Sequence, residues 1–251
     1  MNLTDDQLDR YARHIVLREI GGAGQAKLLA ASVAVIGAGG IGSPLLLYLA
    51  AAGVGRLTVI DDDTVARSNL QRQVLHGTPD LGRAKTASAV DALARLNPDV
   101  VVTPRTVRLD AGNAAGLLAG HDVVVDGSDS FATRLTVADC ALALRIPLVS
   151  AAVGPFDGQL ATFRGWEAGA PCYRCFVGSD PARADASCAD TGILGAVAGV
   201  MGSLAALEVV RCITGFGADP AGTLLIFDAL SLRMRTIALA KDPACPACGS
   251  R

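Results

Sequence analysis

The sequence predicts an α/β protein with a Rossmann-like, mostly parallel central sheet and helices on both faces. Short apolar runs that suit buried strands alternate with segments of helical periodicity over the first 150 residues, and this alternation is typical of βαβ units. A G-x-G-x-x-G motif, at Gly37, Gly39 and Gly42, follows one such run and opens the next helical segment. We expect one domain over residues 1–251.

The elements follow in order from periodicity, capping residues and stop signals. The chain opens with a helix, because Thr4 and Gln7 have capping-box spacing and apolar residues recur at helical intervals through Leu17. The Asn97-Pro98 pair ends the third predicted helix. The predicted helices cover residues 4–17, 41–52, 83–96, 113–119, 131–144 and 192–210, and the predicted strands cover 32–37, 56–61, 100–107, 121–126, 147–153, short runs near 160 and 163, 224–227 and 236–239.

Composition excludes several classes of protein. The net charge of −2 gives no general basic surface for nucleic acid. The charged N-terminus lacks the apolar core of a secretory signal, and seven cysteines without such a signal favour the cytoplasm. Residues 192–210 are apolar enough to span a bilayer, but Glu208 and the many small residues favour a buried helix. We therefore expect neither membrane nor nucleic acid as a partner.

The glycine motif predicts a nucleotide site. Glycines between a strand and a helix allow a tight turn whose backbone N–H groups approach a phosphate. Asp61 ends the next strand, where a carboxylate accepts hydrogen bonds from ribose hydroxyl groups. These features alone favour NAD, and a turn that binds nothing is the alternative.

The stretch SNLQRQ, residues 68–73, changes the ligand that we expect. Its donors Asn69, Arg72 and Gln73, together with Lys85, suit a more highly charged group than one pyrophosphate. Asp129 follows a strand at the carboxyl edge of the predicted sheet, and Mg²⁺ prefers a carboxylate there together with phosphate oxygens. The cluster therefore favours ATP with Mg²⁺, held without a Walker A lysine. A solvated loop with surface ion pairs is the alternative.

Two C-x-x-C pairs predict a structural metal site. Cys172 and Cys175 form one pair, and Cys245 and Cys248 form the other. Four thiolates make a tetrahedral zinc site with no open position, which stabilises a fold rather than catalysing a reaction. The fold would have to bring the C-terminal portion to the middle of the chain. A redox-active pair is the alternative.

The motifs R-Y-A-R, G-A-G-G-I-G, D-D-D, S-N-L-Q-R-Q, C-Y-R-C and C-P-A-C occur in that order, with Lys85, S-D at 128–129 and Cys188 between them. With these motifs the chain, from about Arg10 to Cys248, resembles the ThiF/MoeB/HesA adenylyltransferases, bacterial relatives of ubiquitin-activating enzymes. The resemblance implies ATP-dependent adenylation of the C-terminal glycine carboxylate of a small ubiquitin-like sulfur-carrier protein ending in Gly-Gly. A separate sulfur-donor protein would then supply a thiocarboxylate for thiamine, molybdopterin or a related sulfur-transfer pathway.

The resemblance also implies a role for each matching residue. Arg13 would reach the triphosphate from the other subunit of a homodimer, and Cys188 would be a candidate for a covalent sulfur intermediate. The implied catalytic residues are Arg13, Arg72, Lys85, Asp129 and Cys188, and the implied nucleotide-binding residues are Gly37, Gly39, Gly40, Gly42, Asp61, Asp63, Asn69, Arg72, Gln73, Lys85 and Asp129.

Two positions depart from the family pattern: His14 replaces a common glutamine and Ser130 a common asparagine. We expect altered detail at these positions rather than lost activity. Two functions outside this family stay open at this point. One is an NAD-dependent oxidoreductase, which would have no use for Arg72 or Lys85, and the other is a zinc-stabilised scaffold without catalysis.

Overall fold

A computed structural model describes residues 3–178 and 192–249 of the chain. Its core is one eight-stranded sheet in the order β3-β2-β1-β4-β5-β6-β7-β8. The strands are β1 Ser32–Ile36, β2 Arg56–Ile60, β3 Val101–Arg105, β4 Val123–Asp126, β5 Leu148–Val153, β6 Asp157–Phe163, β7 Thr223–Asp228 and β8 Arg233–Ala238. The helices are α1 Asp5–Arg10, α2 Ala12–Ile15, α3 Gly21–Ala30, α4 Gly42–Ala51, α5 Lys85–Leu96, α6 Ala114–Leu118, α7 Phe131–Leu144, α8 Tyr173–Val177 and α9 Gly195–Thr214.

The sheet has a parallel half and an antiparallel half. Strands β1 to β5 pair in parallel, whereas β6, β7 and β8 continue the sheet by antiparallel pairing. The chain order reverses between β1 and β4, which are hydrogen-bonded neighbours. Ligands of open α/β sheets bind beyond the carboxyl ends of the strands at such a switch point.

Side-chain alternation along β1 separates two cores, one on each face of the sheet. Val33 and Val35 pack with the buried side chains of α3, α4, α5 and α9. Ala34 and Ile36 pack with α6 and α7 on the opposite face. The strands are buried on both faces because helices cover both, which explains their nearly continuous apolar sequence. The predicted α/β architecture is confirmed.

The N-terminal helix is shorter than predicted. The capping box forms, since Gln7 N donates to Thr4 Oγ1 at 3.2 Å and Thr4 N donates to Gln7 Oε1 at 3.2 Å. The helix is interrupted at Tyr11, whose buried hydroxyl accepts a hydrogen bond from Asn97 Nδ2 at 2.9 Å. Helix α3 was not predicted, because three glycines in its first four residues weaken the helical signal.

The long apolar helix begins and ends later than predicted. Helix α9 runs from Gly195 to Thr214 and is long and apolar enough to cross a membrane by length and composition. It packs against α3, α4, β5 and β6. Gly202 permits the contact with α4, because a side chain there would overlap the Ile41 carbonyl oxygen. The two short runs near residues 160 and 163 form the single strand β6.

Candidate active site

The glycine motif forms a tight turn between β1 and α4. Gly37 has φ +92°, a backbone conformation that a side chain would strain. Gly42 begins α4 and lies against Gly37, so closely that a Cβ there would overlap the Gly37 carbonyl oxygen. At Gly39 a Cβ would meet only Gln73 Nε2, at 3.6 Å. Gly42 is therefore required for packing, whereas Gly39 and Gly40 line an open cavity.

Asp61 holds the turn in place from the end of β2. Its carboxylate accepts hydrogen bonds from Ala38 N at 2.8 Å and Asp63 N at 2.9 Å. Burial raises the pKa of Asp61, and the neighbouring Lys85 opposes that shift. Lys85 Nζ lies 2.7 Å from Asp63 Oδ2 and 3.9 Å from Asp61 Oδ1. The ammonium group, on a nearly buried side chain, therefore faces the cavity at the carboxyl edge of the sheet.

The SNLQRQ stretch forms a 3₁₀ turn and a loop that face the glycine motif. Arg72 is half-buried, donates to Ser68 O at 3.0 Å, and packs its side-chain methylenes near Gly40. Gln73 is buried, and its Oε1 has no hydrogen-bond partner among the described residues. Asn69 does not line the cavity, and its Oδ1 instead accepts from Ala66 N at 3.1 Å. Of the three predicted donors in this stretch, Arg72 and Gln73 therefore line the cavity, and Asn69 does not.

The loop after β4 and the start of α7 line the same cavity as the glycine motif. Asp129 is exposed and Arg134 is half-buried, and both line the cavity. Asp126 is buried beneath them, where its Oδ1 accepts from Ser128 Oγ at 2.7 Å. Burial raises the pKa of Asp126, and Arg134 opposes that shift. Ser130, one of the two departures from the family pattern, caps α7, since its Oγ accepts from Thr133 N at 3.4 Å.

Together these segments enclose a polar cavity of about 330 Å³ at the switch point of the sheet. It brings together four positively charged and four acidic side chains. They are Arg72, Lys85, Arg108 and Arg134, and Asp61, Asp62, Asp63 and Asp129. Arg108 was not predicted from the sequence, because nothing in the chain preceding α6 indicates that this loop turns towards the glycine motif.

His76 is a second residue that the sequence analysis missed. It is buried behind the glycine turn, with Nε2 3.0 Å from Ala38 O and Nδ1 2.9 Å from Ser88 Oγ. A carbonyl oxygen only accepts, so Nε2 carries the proton that bonds Ala38. Burial lowers the pKa of His76. His76 lies three residues beyond the SNLQRQ stretch, and no spacing in the sequence singles it out.

Arg13 lies outside the cavity of its own chain. It is exposed on α2, next to an apolar groove of about 650 Å³. His14, the other departure from the family pattern, lines this groove, with Nδ1 3.0 Å from Gln25 Oε1. Tyr48 and Leu207 also line the groove and are 59% and 50% exposed. The surface beside Arg13 is thus strongly apolar.

The four cysteines of the two C-x-x-C pairs meet. Their sulfur atoms lie within 4.8 Å of one another, with separations of 3.8 Å for Cys172–Cys175, 3.6 Å for Cys172–Cys245 and 3.4 Å for Cys175–Cys248. Four thiolates about 2.3 Å from a tetrahedral zinc ion stand about 3.8 Å apart, so this geometry fits zinc. The C-terminal portion is thereby joined to α8, as predicted.

The remaining cysteines differ in position. Cys188 lies outside the described residues. Cys140 and Cys212 are half-buried and pack beside the two cores. Burial raises the pKa of Cys212 to about 11, which keeps that thiol protonated at neutral pH.

The chain is similar to known proteins over almost its whole length. The model of the ThiF family matches residues 11–247. The chain belongs to the ThiF family. It is 46% identical to the sulfur carrier protein adenylyltransferase of Thermus thermophilus, over 99% of this chain and 93% of that protein. It is 44% identical to the SAMP-activating enzyme E1 of Haloferax volcanii, over 99% and 92%. The resemblance inferred from the motifs is confirmed.

Members of the family also include longer proteins. The adenylyltransferase and sulfurtransferase MOCS3 of Bos taurus is 50% identical over 99% of this chain, which spans 55% of that protein. Among solved structures, E. coli MccB with ATP has a TM-score of 0.80 at 21% identity, over 99% of this chain and 82% of that one. At this level of identity the structural likeness shows the fold.

Proposed function

We propose that this ThiF-family chain is an adenylyltransferase that activates the C-terminal glycine of a small ubiquitin-like sulfur carrier with ATP. The observation that supports this best is the convergence of Arg72, Lys85 and Asp129, from three separate segments, on the cavity beside the glycine turn. The Thermus relative is named a sulfur carrier protein adenylyltransferase, which supports this assignment. An NAD oxidoreductase would gain nothing from these charged groups.

The reaction needs charge neutralisation and alignment rather than a base. The carrier carboxylate is already ionised at neutral pH and attacks the α-phosphorus of ATP. A new carboxyl–phosphorus bond forms, the bond to the bridging oxygen breaks, and pyrophosphate leaves with the electron pair. Fixed positive groups around the phosphates stabilise the transition state, because they face it in a cavity partly shielded from water.

Each predicted nucleotide ligand has a proposed task. Asp61 binds ribose, and Gly37, Gly39 and Gly40 approach the nucleotide. Arg72, Gln73 and Lys85 hold phosphate oxygens, and Lys85 would leave Asp63 to do so, since the two are paired at 2.7 Å. Asp129 would hold Mg²⁺, which would neutralise phosphate charge. Gly42 supports the turn, and Asn69 shapes the loop that carries Arg72.

The cysteine cluster is proposed to hold one structural Zn²⁺. Three of the four cysteines are buried and none is in a disulfide. With all four positions filled by protein, zinc would stabilise the antiparallel half of the fold and take no part in adenylation. The proposal includes one domain over the whole chain, a cytoplasmic location, a carrier ending in Gly-Gly and a separate sulfur donor, with Cys188 as a candidate for covalent sulfur transfer.

ATP–pyrophosphate exchange tests the function. The parent chain should exchange label only with Mg²⁺ and a carrier ending in Gly-Gly. Arg72→Ala should lower exchange by about 100-fold, the effect of losing a charged hydrogen bond to the transition state. Arg67→Ala is the matched control, because Arg67 is exposed in the same loop and lies outside the cavity. Equal activity of the two variants, or thermal stabilisation by NAD rather than by ATP with Mg²⁺, would contradict the proposal.

In the proposed homodimer, Arg13 would enter the site of the partner subunit. Its exposure outside its own cavity, beside the apolar groove, supports this arrangement. Mixing Arg13→Ala and Arg72→Ala chains tests it. In a mixed dimer one site then has both arginines intact, so equal mixing should restore about one quarter of the parent activity. An Arg13 that acts within its own chain would restore none.

A further inference from the structure

Two side chains hold the backbone of Ala38 in place by hydrogen bonds. The Ala38 carbonyl oxygen lies 3.0 Å from His76 Nε2, and the Ala38 N–H donates to Asp61 Oδ2 at 2.8 Å. Both polar groups of Ala38 are thus fixed by buried or half-buried side chains from different segments. Neither contact involves the nucleotide directly.

Because the peptide is planar, fixing the Ala38 carbonyl also fixes the direction of the Gly39 N–H. The carbonyl of Ala38 and the N–H of Gly39 belong to one planar unit, and no peptide bond among the described residues is cis. In a trans peptide these two groups point in opposite directions. Because the carbonyl points to His76, away from the cavity that Gly39 lines, the Gly39 N–H points the other way. Within residues 3–178 and 192–249 that N–H has no backbone acceptor.

We infer that His76 is a positioning residue that aims the Gly39 N–H at a phosphate oxygen of the nucleotide. The inference rests on the proposed function, because the phosphate belongs to ATP. A hydrogen bond to the carbonyl also polarises the peptide, which makes its N–H a better donor to an anion. His76 itself does not touch the nucleotide.

Ser88 is the partner of the other ring nitrogen and suits the tautomer that this role requires. Nε2 must carry the proton to bond Ala38, so in a neutral imidazole Nδ1 accepts from the Ser88 hydroxyl, 2.9 Å away. Ser88 lies one turn beyond Lys85 on α5. The helix that supplies the cavity with an ammonium group therefore also orients the histidine behind the glycine turn.

The test compares ATP affinity in two histidine variants of the full chain. His76→Leu should weaken binding of ATP with Mg²⁺, measured by calorimetry, by about tenfold, because one aimed hydrogen bond to a charged group is lost. His121→Leu is the matched control. His121 also makes two hydrogen bonds, to Leu118 O at 3.0 Å and Thr58 Oγ1 at 2.8 Å, but it lies outside the cavity.

Rescue and kinetics separate positioning from a loss of stability. His76→Gln keeps an N–H donor near the position of Nε2 and should bind ATP within about threefold of the parent chain. In the exchange reaction, His76→Leu should raise KM for ATP and leave KM for the carrier unchanged. A parent chain that binds no ATP would overturn the proposed function, whereas equal ATP affinities of His76→Leu and His121→Leu would overturn the role of His76 alone.

A spectroscopic test does not depend on the fold of the His76→Leu variant. The chain has three histidines, so ¹⁵N-labelled imidazoles can be assigned individually. At neutral pH His76 should carry its proton on Nε2, and Ser88→Ala, which leaves Nδ1 without a partner, should loosen the ring and weaken ATP binding. A parent protein with the proton on Nδ1 alone would overturn the inference, because the Ala38 carbonyl would then have no donor.

Discussion

Replacing Gly42 by alanine tests the packing of the glycine turn. A Cβ at Gly42 would lie 2.9 Å from the Gly37 carbonyl carbon and would overlap the carbonyl oxygen. Carbon atoms in contact stand about 3.5–4.0 Å apart, so the start of α4 would have to move from the end of β1 by more than about half an ångström. Leu45, Leu46 and Leu49 of α4 are fully buried and resist such a shift.

We expect Gly42→Ala to lower the free energy of unfolding by about 1–3 kcal/mol, the usual effect of overpacking a close contact. For a chain of this length that loss corresponds to a fall in Tm of about 2–12 °C. Urea denaturation with a check of two-state behaviour measures the change. Nucleotide binding should weaken as well, because the turn would open.

Two other glycines are the controls. Gly116 is exposed in α6 with open space around it, so Gly116→Ala should stabilise the chain by about 0.5–1 kcal/mol. Gly39→Ala meets only an ordinary contact with Gln73, so it should keep the stability of the parent chain and lose ATP affinity. If Gly42→Ala were as stable as the parent chain, the reasoning about this contact would be refuted.

Three further predictions concern the metal, the groove and a buried carboxyl. Cys172→Ser should lose a zinc ion detectable by elemental analysis and lower Tm by about 10 °C, and retained zinc would contradict the four-cysteine site. Leu207→Asp should give monomers in sedimentation and no exchange activity, because Arg13 would no longer reach a partner, and fully active monomers would contradict this. Burial raises the pKa of Asp126 above 3.8, so the folded parent chain loses stability as pH rises through that raised value. Asp126→Asn removes this loss. In urea denaturation, the free energy of unfolding of the variant minus that of the parent chain should therefore rise from about pH 4 to 7, and parallel pH profiles of the two chains would contradict the prediction.

The sequence predicted well the elements whose ends are chemically marked. Helix α7 begins and ends as predicted, because Ser130 caps its first turn and Arg145 leaves it in the left-handed conformation. Helix α3 was missed because its stability comes from tertiary packing of Leu28 and Gln25, which no local pattern reveals. The antiparallel pairing of β6 to β8 likewise depends on long-range contacts that strand signals do not specify.

The candidate site shows the same division. The spacing of the motifs predicted the cavity residues Asp61, Arg72, Lys85 and Asp129, because chemistry fixes which side chains suit polyphosphate. Single-sequence reasoning could not find His76, because its function depends on a carbonyl group 38 residues away in the chain. Asn69, in contrast, was predicted to bind phosphate because its amide can donate, but its side chain accepts a hydrogen bond from Ala66 N within the loop.

Gly202 determines how closely α9 approaches α4. The absence of a side chain at Gly202 lets α9 lie directly on the start of α4. The first residue of α9, Gly195, touches Gln71 of the SNLQRQ stretch, and the body of the helix packs on β6. The loop that carries Arg72 and the antiparallel half of the sheet are therefore in contact with the same helix, α9.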